Sequence, residues 1–217
     1  IEACIAQAAS IQTLSGERIR EELFRIIAQP AGPTLVTLMA GTGILAHAIP
    51  VELSAETLAA GHGHPAFDLS DPLLGLTVAL PPEMAPRDHF ADHLRLSNAD
   101  RQRLLAALKQ MPENRQLAIH RHGAKAVADR AWIDFTTGRM GAASLEMALT
   151  EIDAFTPIPL PVNGEDLRAM GLAPGPAMGD ILRAVEAWWF DNDRQADRDA
   201  VLAAAKQHIA EIDPRAD

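Results

Sequence analysis

Leu160-Pro161-Val162-Asn163-Gly164-Glu165-Asp166-Leu167, then Gly171-Leu172-Ala173-Pro174-Gly175-Pro176, Gly179 and Ile181-Leu182, carries more glycine and proline than a continuous helix tolerates. It reads as a short helix, an abrupt turn and a second helix with a defined start. Gly171 is placed to end the first helix. Pro176 suits the first position of the second, where its missing N–H costs nothing and its fixed φ is already helical. Such a turn leaves a helix start at Gly175 to Gly179 with free backbone N–H groups and a positive dipole end, which suits a phosphate. The same residues also describe a well-capped helical hairpin.

Outward from this stretch the helical period recurs almost everywhere. Met178, Ile181, Leu182, Val185, Trp188 and Trp189 form the broadest stripe. Ile19, Leu23, Ile26 and Ile27 form another, with Arg18, Glu21, Glu22 and Arg25 opposite and Ser15 placed as the N-cap. Leu35, Leu38 and Met39 mark a helix ending near Gly41 or Gly43. Asp71-Pro72 reads as a cap and a first helical residue leading into Leu73, Leu74 and Leu76, with Pro81-Pro82 as the stop. Ser97 or Asn98 caps a helix carrying Leu104, Leu105 and Leu108. Ala124, Val127, Ala131 and Phe135 define one more, and Leu145, Leu149 and Ile152 the next. No segment alternates as a strand does. The predicted fold is all-α, a multi-helix array of short helical lobes. The Gly61 to Pro65 loop and the stiff Pro157-Ile158-Pro159-Leu160-Pro161 connector divide it into lobes at 1–60, 61–155 and 156–217.

The 217 residues are 48% hydrophobic, which suits a globular chain. With one cysteine, Cys4, no internal disulfide and no cysteine-based zinc site can form. Tyrosine is absent and aromatic residues make up 4%, so stacking platforms for single-stranded bases are not advertised. No segment resembles a signal peptide or membrane span, so a cytoplasmic location is expected. The chain begins at Ile1 and its first residues read as helix interior, the expectation for part of a longer protein.

The formal charge is -10, which argues against a generic nucleic-acid binder. Between Arg95 and Arg130, however, eight basic residues face only Asp100, Glu113 and Asp129, a local excess of +5. This points to a polyanionic partner. The other chemical candidates are weaker. His89 with His93, His62 with His64 and His120 with His122 are pairs, whereas zinc needs three or four converging ligands. Asp191-Asn192-Asp193 has the spacing of a Mg²⁺ site but lacks a preceding strand and a phosphate loop, so it reads as a solvated turn. No nucleophile elbow or Walker loop is present. The residues supply no self-contained catalytic centre and no metal site.

Ser15-Gly16-Glu17-Arg18-Ile19-Arg20-Glu21-Glu22-Leu23 resembles the segment that follows the nucleotide-recognition helices in class II tRNA nucleotidyltransferases, the CCA-adding enzymes and related bacterial poly(A) polymerases. Asp71-Pro72-Leu73-Leu74, Leu94-Arg95-Leu96-Ser97 and Gly123-Ala124-Lys125-Ala126-Val127-Ala128-Asp129 occur in the order of that family's body region. The Leu160 to Trp189 stretch is similar to the tail of its bacterial branch.

The resemblance implies a parent enzyme of head, neck, body and tail. The head binds Mg²⁺, the neck reads CTP or ATP, and body and tail hold the tRNA whose 3′ end is extended. The head's Gly-Ser loop, its paired carboxylates and the neck's Glu-Asp-x-x-Arg segment are not in this sequence. The chain is therefore expected to be the RNA-binding C-terminal region, inactive alone, with no catalytic residue of its own. Its expected partners are tRNA and the missing head, and a homodimer could form through residues 1–14. In that family Ser15, Glu17 and Arg18 belong to a structural segment. Arg121, Lys125 and Arg130 are the expected RNA backbone contacts, with the Gly175 to Gly179 helix start as a second set. The competing reading is a helical protein-interaction module that uses the Met178 to Trp189 stripe and binds no nucleic acid.

Overall fold

The computed structural model describes residues 1–81 and 87–212. Among these the chain is all-helical, with no strand. The helices are α1 (Glu2–Gln7), a 3₁₀ segment (Ala8–Thr13), α2 (Gly16–Ile27), α3 (Gly32–Gly41), α4 (Ile44–Ala48), α5 (Ala55–His62), α6 (Pro72–Ala79) and α7 (Arg87–His93). They continue as α8 (Asn98–Ala107), α9 (Arg115–His122), α10 (Ala124–Thr136), α11 (Ala142–Asp153), α12 (Gly164–Ala169), α13 (Pro176–Asp191) and α14 (Arg198–Ile212). The chain divides into two compact units. The first holds Ile1–Met111 and His122–Ala154, and the second Pro112–Arg121 and Phe155–Asp217.

The first unit is built around α6. Every residue from Leu73 to Ala79 is buried, so this helix has no polar face and must sit at the centre of its unit. Asp71 caps it by accepting from the Leu74 N–H at 3.2 Å, and Pro72 is its first residue, as the sequence pattern predicts. Pro82, half of the expected stop, lies outside the described residues. α2, α5, α8 and α10 pack around α6. Gly75 lets α2 approach, since a Cβ there would stand 2.4 Å from Ile27 Cγ2.

The expected lobes at 1–60 and 61–155 both contribute to this one core, which runs from Ile19 and Leu58 to Leu76, Trp132 and Ala148. Gly61 is not in a loop as read from the sequence. It lies within α5, buried, because a Cβ at that position would come within 2.7 Å of the Phe67 ring. Glycine serves there as a seat for an aromatic ring rather than as a chain breaker.

The second unit packs α12, α13, α14 and most of α9 around Leu117, Leu167, Ile181, Val185, Trp189 and Val201. Its hairpin follows the sequence reading closely. Asn163 and Asp166 form a reciprocal capping box at the start of α12. Gly171 takes φ 92 beyond its end, and the Leu172 N–H reaches back to the Leu167 carbonyl at 3.1 Å. Pro176 opens α13.

The proline connector makes few backbone bonds of its own, because proline has no N–H to donate. Arginines bind its carbonyls instead. Arg194 donates to the Thr156 carbonyl at 3.0 Å and Arg198 to the Pro161 carbonyl at 2.5 Å.

Candidate functional site

The basic window loses much of its promise once its partners are placed. Arg103 is held by Asp129, through two bonds of 2.7 Å, and by Asp71 at 2.7 Å. Arg101 pairs with Asp92. Arg121 donates to Glu186 at 2.5 Å and to the Arg183 carbonyl at 2.9 Å. Arg130 donates to Asp134 at 3.0 Å and to the Lys109 carbonyl at 3.0 Å. Asp92, Asp71, Glu186 and Asp134 all lie outside the residues whose charges were counted, so four of the eight cations are committed within the fold.

The three expected RNA contacts do not share a unit. Arg121 belongs to the second, Lys125 and Arg130 to the first. Lys125 is exposed near the start of α10, and Arg130 lies five residues further along it. Gly175 and Gly179 stand at the open start of α13. A Cβ at Gly175 would meet nothing within 4 Å, and one at Gly179 only Arg183 Nη1 at 3.7 Å.

Asp129 is 1% exposed, and burial pushes its carboxyl up to about 6 against the lowering effect of Arg103. Arg103 loses by burial but gains more from the two carboxylates, and its pKa rises. This trio joins α10, α8 and the cap of α6 inside the first unit, where it is structural.

One member of each histidine pair is taken up by a separate contact. His93 Nε2 lies 2.8 Å from the Ala48 carbonyl, His64 packs on Trp132 and Phe135, and His120 lies 3.2 Å from Glu186. Among the described residues no three histidine, cysteine or carboxylate side chains converge as metal ligands. Asp191 ends α13 and accepts from Asn114 at 3.2 Å, while Asn192 donates to the Trp188 carbonyl. The Met178 to Trp189 stripe is core: Met178, Ile181, Val185 and Trp189 are buried within their own unit, and Trp188 is half-buried.

Two recesses lie elsewhere, beside the start of α2 and the end of α7. Ser15 caps that helix, accepting from the Arg18 N–H at 3.5 Å. The capped end holds the end of α7. A Cβ on Gly16 would stand 2.0 Å from the His93 carbonyl oxygen, so only glycine fits beneath it. Arg20 donates to the Arg95 carbonyl at 2.5 Å. Arg95 itself has φ 49, and the Leu96 N–H closes the helix end by bonding the Ala91 carbonyl at 3.1 Å. This is the left-handed helix-end position that glycine normally takes. Arg95 and Arg20, with the Ser15 hydroxyl, also help hold the exposed Glu17 carboxyl below its usual range, the largest effect being a backbone hydrogen bond at Glu17 itself.

Two segments singled out in the sequence, Ser15 to Leu23 and Leu94 to Ser97, are thus one structural clamp. Beside it open two recesses of about 580 and 560 Å³. The first lies among Gln12, Glu17, Ile19, His47 and Ile49, the second among Val51, His89 and Phe90. Pro50, Asp92, His93 and Arg95 line both. Sequence reasoning passed over Arg95 as one charge in a row of eight. The signal available was a non-glycine residue immediately after a helix.

Comparison with known proteins bears on this same part of the chain. Residues 1–55, about a quarter of its length, match the family described as "Probable RNA and SrmB- binding site of polymerase A". That stretch is therefore a region related to the poly(A) and CCA polymerases. It runs from α1 through the start of α5 and supplies the first recess from Gln12 to Pro50. No curated protein matches the chain. Among the described residues no helix is long and apolar enough to cross a membrane.

Proposed function

We propose that this chain is an RNA-binding region of a nucleotidyltransferase of the CCA-adding and poly(A) polymerase kind, and that its RNA is tRNA. The observation that supports this most is the match of residues 1–55 to an RNA-binding site of polymerase A, on the stretch that clamps the end of α7. In this reading the helical array holds structured RNA through its ribose-phosphate backbone, and the 3′ end is extended by a catalytic head that handles Mg²⁺ and CTP or ATP. Lys125, exposed on the first unit near the start of α10, is one cation of the basic window placed for a backbone contact. Arg121 and Arg130 would contribute from the edges of their ion pairs.

A fluorescence titration with labelled tRNA tests the proposal. Binding is expected at low salt, weakening steeply as salt is added, because cations displaced from the phosphates are released. The chain mixed with tRNA, CTP, ATP and Mg²⁺ is expected to add no nucleotide. Absence of tRNA binding at low salt, or equal affinity for an unrelated acidic polymer such as polyglutamate, would overturn the RNA-binding reading. Nucleotide addition by the chain alone would overturn the division of labour.

A further inference from the structure

Arg95 occupies a left-handed backbone conformation that is costly for an L-residue and that glycine adopts freely. Its carbonyl is fixed by Arg20, and its Cγ would lie 3.1 Å from a Cβ at position 16. The backbone and the root of the side chain are therefore held from below by α2. Helix capping needs no long side chain at this point, and a cation here adds only the modest, salt-screened attraction of the negative end of α7. What the arginine adds is a cation on the wall that separates two nucleotide-sized recesses.

The recesses differ in chemistry. The first carries polar edges, with Gln12 Nε2 and His47 Nδ1 3.3 Å apart, over the apolar Ile19 and Ile49. The second has Pro50, Val51 and the exposed imidazole of His89 around it, with Phe90, itself buried, at its base. Of the carboxylates facing them, Asp92 is paired with Arg101, and Glu17 stands at the start of α2 beside the Ser15 hydroxyl. Ribose hydroxyls and base amino groups can donate to Glu17, whereas a phosphate is placed better over Arg95.

Resting on the proposed RNA binding, we infer that this wall is a two-nucleotide subsite for single-stranded RNA. One nucleotide occupies the Gln12–His47 recess, the next occupies the Val51–Phe90 recess, and the phosphate between them sits on the Arg95 guanidinium. An arginine is suited to this task because its planar fork grips two phosphate oxygens at once.

Arg95→Gly separates this role from a structural one, because glycine relieves the backbone and keeps the carbonyl that Arg20 binds. The probe is a fluorescein-labelled single-stranded oligoribonucleotide of about ten nucleotides, followed by anisotropy across a salt series, with labelled tRNA in parallel. Arg95→Gly is expected to melt no lower than the parent chain and to bind the oligonucleotide about tenfold more weakly. Its log affinity should also fall less steeply with log salt, by about 0.7 for the one lost phosphate contact. His47→Ala is expected to weaken binding without changing the salt slope, and Lys206→Ala, at an exposed position of α14 in the second unit, to leave both readouts unchanged. If the parent chain binds tRNA but Arg95→Gly costs less than fivefold on the oligonucleotide, the subsite is wrong and the RNA-binding reading stands. If neither RNA binds, both fall. A lower melting temperature for Arg95→Gly would show that the side chain is structural and would also overturn the subsite.

Discussion

Arg95 in the first unit and Arg194 in the second both have left-handed backbone just beyond a helix, with φ 49 and 59. Each helix end is closed by a return bond, from Leu96 to Ala91 and from Arg194 to Trp189, both near 3 Å. Their side chains are used differently. Arg194 donates to the Thr156 carbonyl and lies over the rings of Phe155 and Phe190, 5.2 and 5.6 Å from their centroids. It is part of the packing of its unit. Arg95 is exposed, and its hydrogen bonds are made by its backbone, the N–H donating to the Asp92 carbonyl at 3.1 Å and the carbonyl accepting from Arg20. The same backbone conformation thus carries a side chain packed into its own unit at Arg194 and an exposed one, near the Glu17 carboxyl, at Arg95.

Arg103 sets the far end of this scale, an arginine spent entirely on structure. Arg103→Met leaves the buried Asp129 without its partner and is expected to destabilise the first unit by about 3–5 kcal/mol in denaturant melts. The loss should be smaller near pH 5 than at pH 7, because an orphaned carboxyl takes up a proton more readily than it stays charged. The native network has its own pH signature. Asp129 holds its proton up to about pH 6, against 3.8 for an ordinary aspartate. The folded chain therefore binds more protons than the unfolded one between those values. This group's contribution is fully present below about pH 4 and is lost as pH rises through 6. Asp129→Asn is expected to remove that component from the stability profile. Glu17, Asp68 and Asp166 are shifted downward and act in the opposite direction in both proteins, so the difference between the two profiles isolates Asp129.

Gly16→Ala tests whether the clamp, rather than Arg95 alone, shapes the wall. The new methyl would meet the His93 carbonyl oxygen, backbone against backbone, with no flexible side chain to yield. About 3 kcal/mol of destabilisation is expected, at the upper end for overpacking. Amide exchange should speed first at the end of α7. Exchange confined to α2 would show that α7 is held by its other contacts. Arg194→Ala should cost somewhat less, about 2 kcal/mol, for a charged hydrogen bond and two ring contacts. Its effect belongs in the second unit, read as faster exchange along the 156–161 connector. If Arg194→Ala proves as harmless as Arg95→Gly, the contrast between the two arginines fails.

Much of the fold is legible in the chain because caps and breakers act locally. Ser15, Asp71 and Ser97 cap helices as their sequence positions predict, and Pro176 and Gly171 act at the positions assigned to them. The central place of α6 follows from an apolar run with no polar face. Gly61 misleads because a glycine under an aromatic ring and a glycine in a loop look alike until Phe67 is placed. The charges mislead for a related reason. Counting along the chain assigns Arg101, Arg121 and Arg130 to a free basic zone, but their partners come from outside the count or one turn away on the same helix. Ser15 to Leu23 and Leu94 to Ser97 could each be picked out in the sequence. That they form one clamp depends on a contact across some seventy residues, which no local pattern carries.

The smallest expected effect concerns the other phosphate candidate, the start of α13. Gly179 is the fourth residue of that helix, and the nearest atom to an added Cβ is Arg183 Nη1 at 3.7 Å, an ordinary contact. Nothing in the packing requires glycine there. Gly179→Ala should therefore stabilise the second unit by about 0.5–1 kcal/mol, because alanine loses less backbone freedom on entering a helix. Gly175 adopts an extended φ of 163, open to any residue, and no neighbour lies within 4 Å of its missing Cβ. What these two glycines leave bare is the backbone N–H groups at the helix start, which a phosphate could approach closely only without methyl groups in the way. RNA affinity measured on Gly179→Ala then decides between the two sites. Unchanged affinity alongside the raised stability leaves the Arg95 wall as the phosphate contact, whereas a several-fold loss in a chain that has become more stable would move the contact to α13.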